Sequence, residues 1–161
     1  MDERSTHIDS TGKAKQIVVW EDRYATGIEM VDEQHQMLVV LTNELYAACL
    51  TGSEAKEAVF KKAMSRMVEY VRKHFAEEQQ LLERIKYPMF LEHKKEHDTL
   101  VKNILEAAKD HDEGKIFTPN NFVRTLRDWV FDHIGISDRL YANYVAEQRR
   151  QGLLSDQLLN G

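Results

Sequence analysis

Five histidines and two carboxylates have the residue types and the spacing of a metal site. Among them, His74 with Glu78 and His93 with His97 are four residues apart, which places each pair on one face of a helix. A buried polar group without a partner costs about 1–3 kcal/mol, so several imidazoles on apolar helix faces must be hydrogen-bonded or bind metal. The sequence therefore predicts one metal site with seven candidate ligands: His35, His74, Glu78, His93, His97, His133 and Asp138.

The composition is typical of a single helical domain. The chain has 161 residues, of which 42% are hydrophobic and 30% charged, enough for one domain with a full core. Only two prolines and seven glycines are present, which favours helices over strands. The net charge is −5 and no stretch is strongly basic, which argues against nucleic acid and anionic membranes as partners.

The sequence predicts a cytoplasmic protein. The amino terminus carries acidic residues and no apolar leader, and no window reaches the roughly 18 apolar residues of a membrane span. Cys49 is the only cysteine, so an internal disulfide is impossible and a reducing compartment fits. We interpret Cys49 itself as a small core residue.

The apolar periodicity predicts an all-α fold, an up-down-up-down four-helix bundle with an extended N-terminal arm. We divide the chain into a flexible arm (1–16), the bundle (17–148) and a C-terminal tail (149–161). Within the bundle, residues 17–30 are too short for a helix of their own and are expected to lie as an extended cover across the bundle end, with Trp20 in the core.

Capping and breaking residues predict where the four helices begin and end. The first begins at Asp32 as N-cap and ends at Thr51-Gly52, and the second begins at Ser53 and ends before Tyr87-Pro88. The third begins at Pro88 and ends at Gly114, and the fourth begins at Thr118-Pro119 and frays past Gln148.

One pair of candidate ligands does not fit a regular helix. His133 and Asp138 are five residues apart, which separates them by about 140° around an α-helix, so both cannot face the core. Gly135 and Ser137 lie between them. We therefore predict a π-like bulge or a loosened turn at this point, a distortion that often accompanies function.

The chain resembles a bacterial hemerythrin. The resemblance rests on the order and spacing of four motifs and spans about Trp20 to Tyr144, without a departure at any ligand position. The motifs are Ile28–His35, His74-Phe-Ala-Glu-Glu78, Tyr87-Pro88 followed by His93-x3-His97, and Trp129-x3-His133-x4-Asp138.

The resemblance implies reversible dioxygen binding at two iron ions bridged by an oxo or hydroxo group, without turnover of a substrate. His93, His97 and His133 would hold one iron, His35 and His74 the other, and Glu78 with Asp138 would bridge both. The three-histidine iron then has six ligands and the two-histidine iron five, which leaves one open position.

The resemblance also implies an apolar pocket over the open position. Its wall would be formed by Leu38, Phe75, Trp129, Val130 and Ile134. The family commonly has leucine in place of Val130, and the smaller side chain implies somewhat faster oxidation. His7 and His111 are not needed as ligands.

Other functions are compatible with parts of the pattern. His93-Lys-Lys-Glu-His97 also fits the inverted zinc-protease motif, with Glu96 as base, but that match leaves the other histidines unexplained. A ferritin-like oxidase needs Glu-x-x-His motifs, and the chain contains none. An oxygen or redox sensor acting through a separate, unidentified protein partner, and a diiron enzyme acting on peroxide or nitric oxide, remain open.

Overall fold

A computed structural model describes residues 16–50, 55–113 and 119–160, and most of these residues are helical. The α-helices are α1 (Glu29–Leu50), α2 (Ala55–Arg84), α3 (Phe90–Asp112), α4 (Pro119–Asp132), α5 (Asp138–Arg150) and α6 (Asp156–Asn160). A π-helical turn, His133–Ser137, joins α4 to α5, and a short 3-10 helix, Asp22–Tyr24, precedes α1. α1 packs against α2 and α4, and α2 packs against α3, so the predicted all-α bundle is confirmed.

The core consists of two apolar clusters with a polar layer between them. On α2, Phe75 and the apolar residues before it belong to one cluster, and Leu81, Leu82 and Ile85 belong to the other. His74 and Glu78 lie close to the boundary between them and are fully buried. The same division recurs on α1, where His35 separates the apolar residues of the two clusters. The helices therefore present the candidate ligands in the interior of the bundle.

α1 begins earlier than predicted. It starts at Glu29, and Asp32 lies in its first turn instead of at the N-cap. The Asp32 carboxylate accepts hydrogen bonds from Thr26 N at 2.6 Å, Thr26 Oγ1 at 2.8 Å and Gly27 N at 3.0 Å. The carboxylate thus binds amides of the segment before the helix from inside the first turn, so Asp32 is not the N-cap. The predicted boundary residues Gly52, Ser53, Gly114 and Thr118 lie outside the described residues.

α2 ends in a Schellman motif whose left-handed residue is not glycine. Tyr87 N donates to Leu82 O at 2.9 Å and Lys86 N donates to Glu83 O at 3.0 Å, while Lys86 has φ of 54°. The second helix therefore ends before Tyr87-Pro88, as predicted. The third helix does not begin at Pro88, because that residue lies in the connecting turn and α3 starts at Phe90.

The C-terminal part is more ordered than predicted. α5 continues through Gln148 to Arg150, so the expected fraying at Gln148 is wrong. α6 follows, and its Leu159 is buried in the apolar cluster that contains Leu81 and Tyr87. Burial of this apolar side chain stabilises the packing of the C-terminal residues against the bundle.

Residues 16–28 form the predicted extended segment, but it is bound along α1 instead of across the bundle end, and Glu29 and Met30 belong to α1. Asn43 on α1 holds it: Ile17 N at 2.8 Å and Val18 N at 3.1 Å donate to Asn43 Oδ1, and Asn43 Nδ2 donates to Val18 O at 2.8 Å. Val18 is buried, whereas Trp20 is only partly buried against the core. Within the described part of the chain, no helix is long and apolar enough to cross a membrane.

Candidate metal centre

The π-helical turn brings His133 and Asp138 to the same side of the helix. Asp138 N donates to His133 O, five residues earlier, which is the hydrogen bond of a π-helix. Both side chains are buried as a result. The bulge predicted from their five-residue spacing is confirmed.

All seven candidate ligands lie in one buried cluster in the bundle. Each is at most 4% exposed. His35 comes from α1, His74 and Glu78 from α2, and His93 and His97 from α3, while His133 is the first residue of the π turn and Asp138 is the first residue of α5. Five imidazoles and two carboxylates so deeply buried need partners that remove the cost of burial.

The larger group of ligand atoms contains three histidines. The Nε2 atoms of His97 and His93 lie 3.1 and 3.3 Å from Glu78 Oε2. Asp138 Oδ1 lies 3.1 Å from His133 Nε2 and 3.4 Å from His93 Nε2. One atom from each of these five residues lies within 4.8 Å of all the others, a separation that a single metal ion can span.

The smaller group contains the remaining two histidines. His35, His74 and Glu78 also place ligand atoms within 4.8 Å of one another. Asp138 Oδ2 lies 3.2 Å from His35 Nε2, and Glu78 Oε1 lies 3.9 Å from the same nitrogen. Asp138 therefore turns one oxygen toward each group of histidines. Glu78 is also shared by both groups, and its Oε2, which faces His93 and His97, lies 4.0 Å from His74 Nε2.

The hydrogen bonding within the cluster is incomplete. Among the described residues, nothing hydrogen-bonds to His35 Nδ1, His35 Nε2, His74 Nε2 or either carboxylate oxygen of Asp138. His97 Nε2 and His133 Nε2 face each other at 2.8 Å, so their lone pairs repel unless a proton or a cation lies nearby. The donor set fits metal ions, and mixed imidazole and carboxylate ligation suits iron.

The outer nitrogens of three histidines have partners on a neighbouring helix. His74 Nδ1 lies 2.8 Å from Gln34 Oε1, His97 Nδ1 lies 3.3 Å from the Gln79 amide nitrogen, and His133 Nδ1 lies 2.9 Å from Glu96 Oε2. Sequence reasoning missed Gln34 and Gln79 in this role and considered Glu96 only as a protease base. The available signal was adjacency, since each of the three immediately precedes or follows a candidate ligand in the chain.

Burial and hydrogen bonds set the charge of several groups. Burial lowers the pKa of His74 to about 4, so this imidazole is neutral and can donate a lone pair. Burial opposes ionisation of Glu78, but His74, His93 and His97 hold the pKa of its carboxyl well below the usual range. Tyr141, which was missed as a site residue, donates to Glu78 Oε1 at 2.6 Å, and burial raises the pKa of its hydroxyl.

Two of the five predicted pocket residues contact rings of the cluster. Phe75 stacks on His97 with ring centroids 3.6 Å apart, and Trp129 stacks on His133 at 4.3 Å. The three aliphatic members, Leu38, Val130 and Ile134, are buried in the core, and Trp129 is partly exposed.

The N-terminal segment adds an aromatic neighbour that sequence reasoning missed. The Trp20 ring centroid lies 6.5 Å from that of His35, and Trp20 also packs against Tyr24 at 5.9 Å. His111 lies outside the cluster, against Phe60, and His7 is outside the described residues. The two-histidine group is thus flanked by a segment whose sequence shows no ligand motif.

Comparisons with known proteins agree with this geometry. The family model described as the hemerythrin HHE cation binding domain matches residues 26–145. A bacteriohemerythrin of Clostridium acetobutylicum is 34% identical over 132 residues, covering 76% of this chain and 97% of the relative. Another, from Stenotrophomonas maltophilia, is 29% identical over 136 residues, covering 84% of this chain and 86% of the relative.

Solved structures point the same way. A crystal structure of wild-type hemerythrin superposes with a TM-score of 0.73 at 27% identity, covering 79% of this chain and 96% of that one. The family model alone spans well over half of the chain. On this evidence the chain belongs to the hemerythrin family.

Proposed function

We propose that this protein binds dioxygen reversibly at a non-haem diiron centre. The observation that carries the proposal is the sharing of two buried carboxylates between a group of three histidines and a group of two. A single metal ion would need neither the second group nor two shared carboxylates. A zinc ion with its preference for four ligands would leave several of these side chains without a role.

The proposed ligand assignment follows the two groups. His93, His97 and His133 would hold one iron, and His35 with His74 would hold the other. Glu78 and Asp138 would be shared by both, together with an oxo or hydroxo group. When bound, an iron pair would supply two electrons and an open position, which we assign to the two-histidine iron, for reversible binding of dioxygen.

The surrounding residues orient the ligands and exclude water. Tyr141 holds Glu78 through a hydrogen bond of 2.6 Å, and Gln34 fixes the His74 ring from its outer side. We propose that Leu38, Phe75, Trp129, Val130 and Ile134 form the apolar wall of the oxygen pocket.

Two measurements test the proposal. Metal analysis of the purified protein should give two irons per chain, and anaerobic reduction followed by air exposure should give a charge-transfer band that disappears on removal of oxygen and returns on its readmission. His35→Ala should lose or weaken the second iron. His111→Ala is the matched control, because this histidine lies outside the cluster, and it should retain both irons.

Two results would contradict the proposal. One zinc per chain would exclude the diiron assignment. Two irons with irreversible bleaching in air would exclude reversible oxygen binding and favour a sensor or an enzyme.

A further inference from the structure

The outer partners of the histidines follow a regular order around the bundle. Gln34 on α1 contacts His74 on α2, Gln79 on α2 contacts His97 on α3, and Glu96 on α3 contacts His133 at the end of α4. Each partner is the sequence neighbour of a candidate ligand on its own helix. Each of α1, α2 and α3 therefore contributes one side chain that contacts the outer nitrogen of a histidine on the following element of the chain.

Glu96 differs from the other two members in its charge. Gln34 and Gln79 are neutral amides, whereas Glu96 is a carboxylate whose Oε2 lies 2.9 Å from His133 Nδ1. Gln34 Oε1 must be the acceptor for His74, because the Gln34 amide nitrogen contacts Glu77. The chain thus contains a neutral acceptor behind one histidine, Gln34 behind His74, and an anionic acceptor behind another, Glu96 behind His133.

The π turn also fixes the position of Glu96. Ser137 Oγ donates to Glu96 Oε2 at 2.6 Å, and this is the oxygen that lies 2.9 Å from His133 Nδ1. The carboxylate side chain is 46% exposed and lines an open cleft of about 600 Å³ together with Glu92, Lys95 and Trp129. Two hydrogen bonds to one oxygen restrict a side chain that would otherwise move freely in water.

We propose that Glu96 is a positioning residue that keeps a proton on His133 Nδ1 and directs the unprotonated Nε2 into the metal cluster, while its charge strengthens His133 as a donor. An anionic acceptor on the outer nitrogen raises the basicity of a histidine ligand and fixes its tautomer and ring orientation. The metal in the three-histidine group is then biased toward its higher oxidation state. This inference rests on the proposed diiron function and adds a residue that tunes one of its two metals.

The test compares substitutions that remove charge and hydrogen bond separately. Glu96→Gln removes the charge and keeps an acceptor, so it imitates the Gln34–His74 pair. Glu96→Ala removes both. Glu92→Gln is the matched control, because it removes the same charge one turn earlier on α3, from the same cleft. The readouts on the full, iron-loaded chain are the midpoint reduction potential and the rate of iron release to a chelator.

We expect Glu96→Gln to retain two irons and shift the midpoint potential to a more positive value. Glu96→Ala should in addition release iron faster, because removing the partner behind a histidine ligand typically weakens metal affinity about 10–100-fold. Glu92→Gln should match the wild type in both. If Glu96→Gln and Glu92→Gln gave the same potential, the proposed charge effect would be refuted, and unchanged iron release in Glu96→Ala would refute the positioning role.

These readouts separate the two proposals. Neither the potential nor the release rate depends on oxygen binding, so a positive result stands even if the protein proves not to bind dioxygen reversibly. Conversely, reversible oxygen binding by all variants with identical potentials and release rates would overturn the role of Glu96 alone. Circular dichroism confirms that each variant folds, which is expected because the substituted carboxylates lie in the open cleft.

Discussion

Removal of iron should lower the thermal stability of this protein markedly. The proposed metals bind side chains from every long helix of the bundle and bind only the native state, so they stabilise it by linkage. Four buried atoms that face the cluster have no hydrogen-bond partner among the described residues: His35 Nε2, His74 Nε2 and both carboxylate oxygens of Asp138.

The structure allows the size of this effect to be estimated. Asp138 Oδ2 lies 3.2 Å from His35 Nε2, so the four atoms are not independent. We count them as two poorly satisfied groups, His74 and the His35–Asp138 pair, at about 2 kcal/mol each, or roughly 4 kcal/mol in all. For a protein of this size, each kcal/mol lowers the Tm by about 2–4 °C. We therefore expect the Tm to fall by about 8–16 °C when iron is removed.

Circular dichroism at one heating rate provides the assay. The same preparation is melted as purified, after anaerobic chelation, and after iron is added back, which should restore the original Tm. His111→Ala should show the full difference between loaded and stripped protein, whereas His35→Ala should show a smaller one. Loaded and stripped wild-type protein melting within about 2 °C of each other would refute the reasoning, because the buried donors would then be satisfied without metal.

Three further substitutions test separate parts of the structure. Lys86→Gly should raise the Tm by about 2–4 °C, because glycine removes roughly 1 kcal/mol of backbone strain at φ of 54°. An unchanged or lower Tm would contradict the Schellman assignment. Tyr141→Phe should lower the Tm of the iron-loaded protein by about 4–8 °C, since a hydrogen bond to a buried charge is worth about 2 kcal/mol, and a wild-type Tm would show that Glu78 does not need this donor. Trp129→Ala should keep two irons and shorten the lifetime of the oxygenated form several-fold by admitting water, measured by absorption in air; an unchanged lifetime would make Trp129 ordinary core.

The candidate ligands could be predicted from sequence because their signals are local. Residues four apart lie on one face of a helix regardless of what packs against it. The pairs His74 with Glu78 and His93 with His97 therefore predict a metal site before the fold is known. The five-residue separation of His133 and Asp138 conflicts with that periodicity, and the conflict itself predicted the π turn. The start of α1 was less predictable, because the Asp32 carboxylate can bind amides before the helix from a position inside it.

Only the tertiary structure decided which side chains hydrogen-bond to the candidate ligands or pack against them. Glu96, Gln34 and Tyr141 act on residues of other helices, at sequence separations of 37, 40 and 63. Trp20 approaches His35 from an extended segment without periodicity. These pairings depend on how far each helix is rotated and shifted along its neighbour, which is set by the packing of the whole core. Sequence spacing determines which residues share a face of one helix, but it does not determine which residue of the next helix meets them.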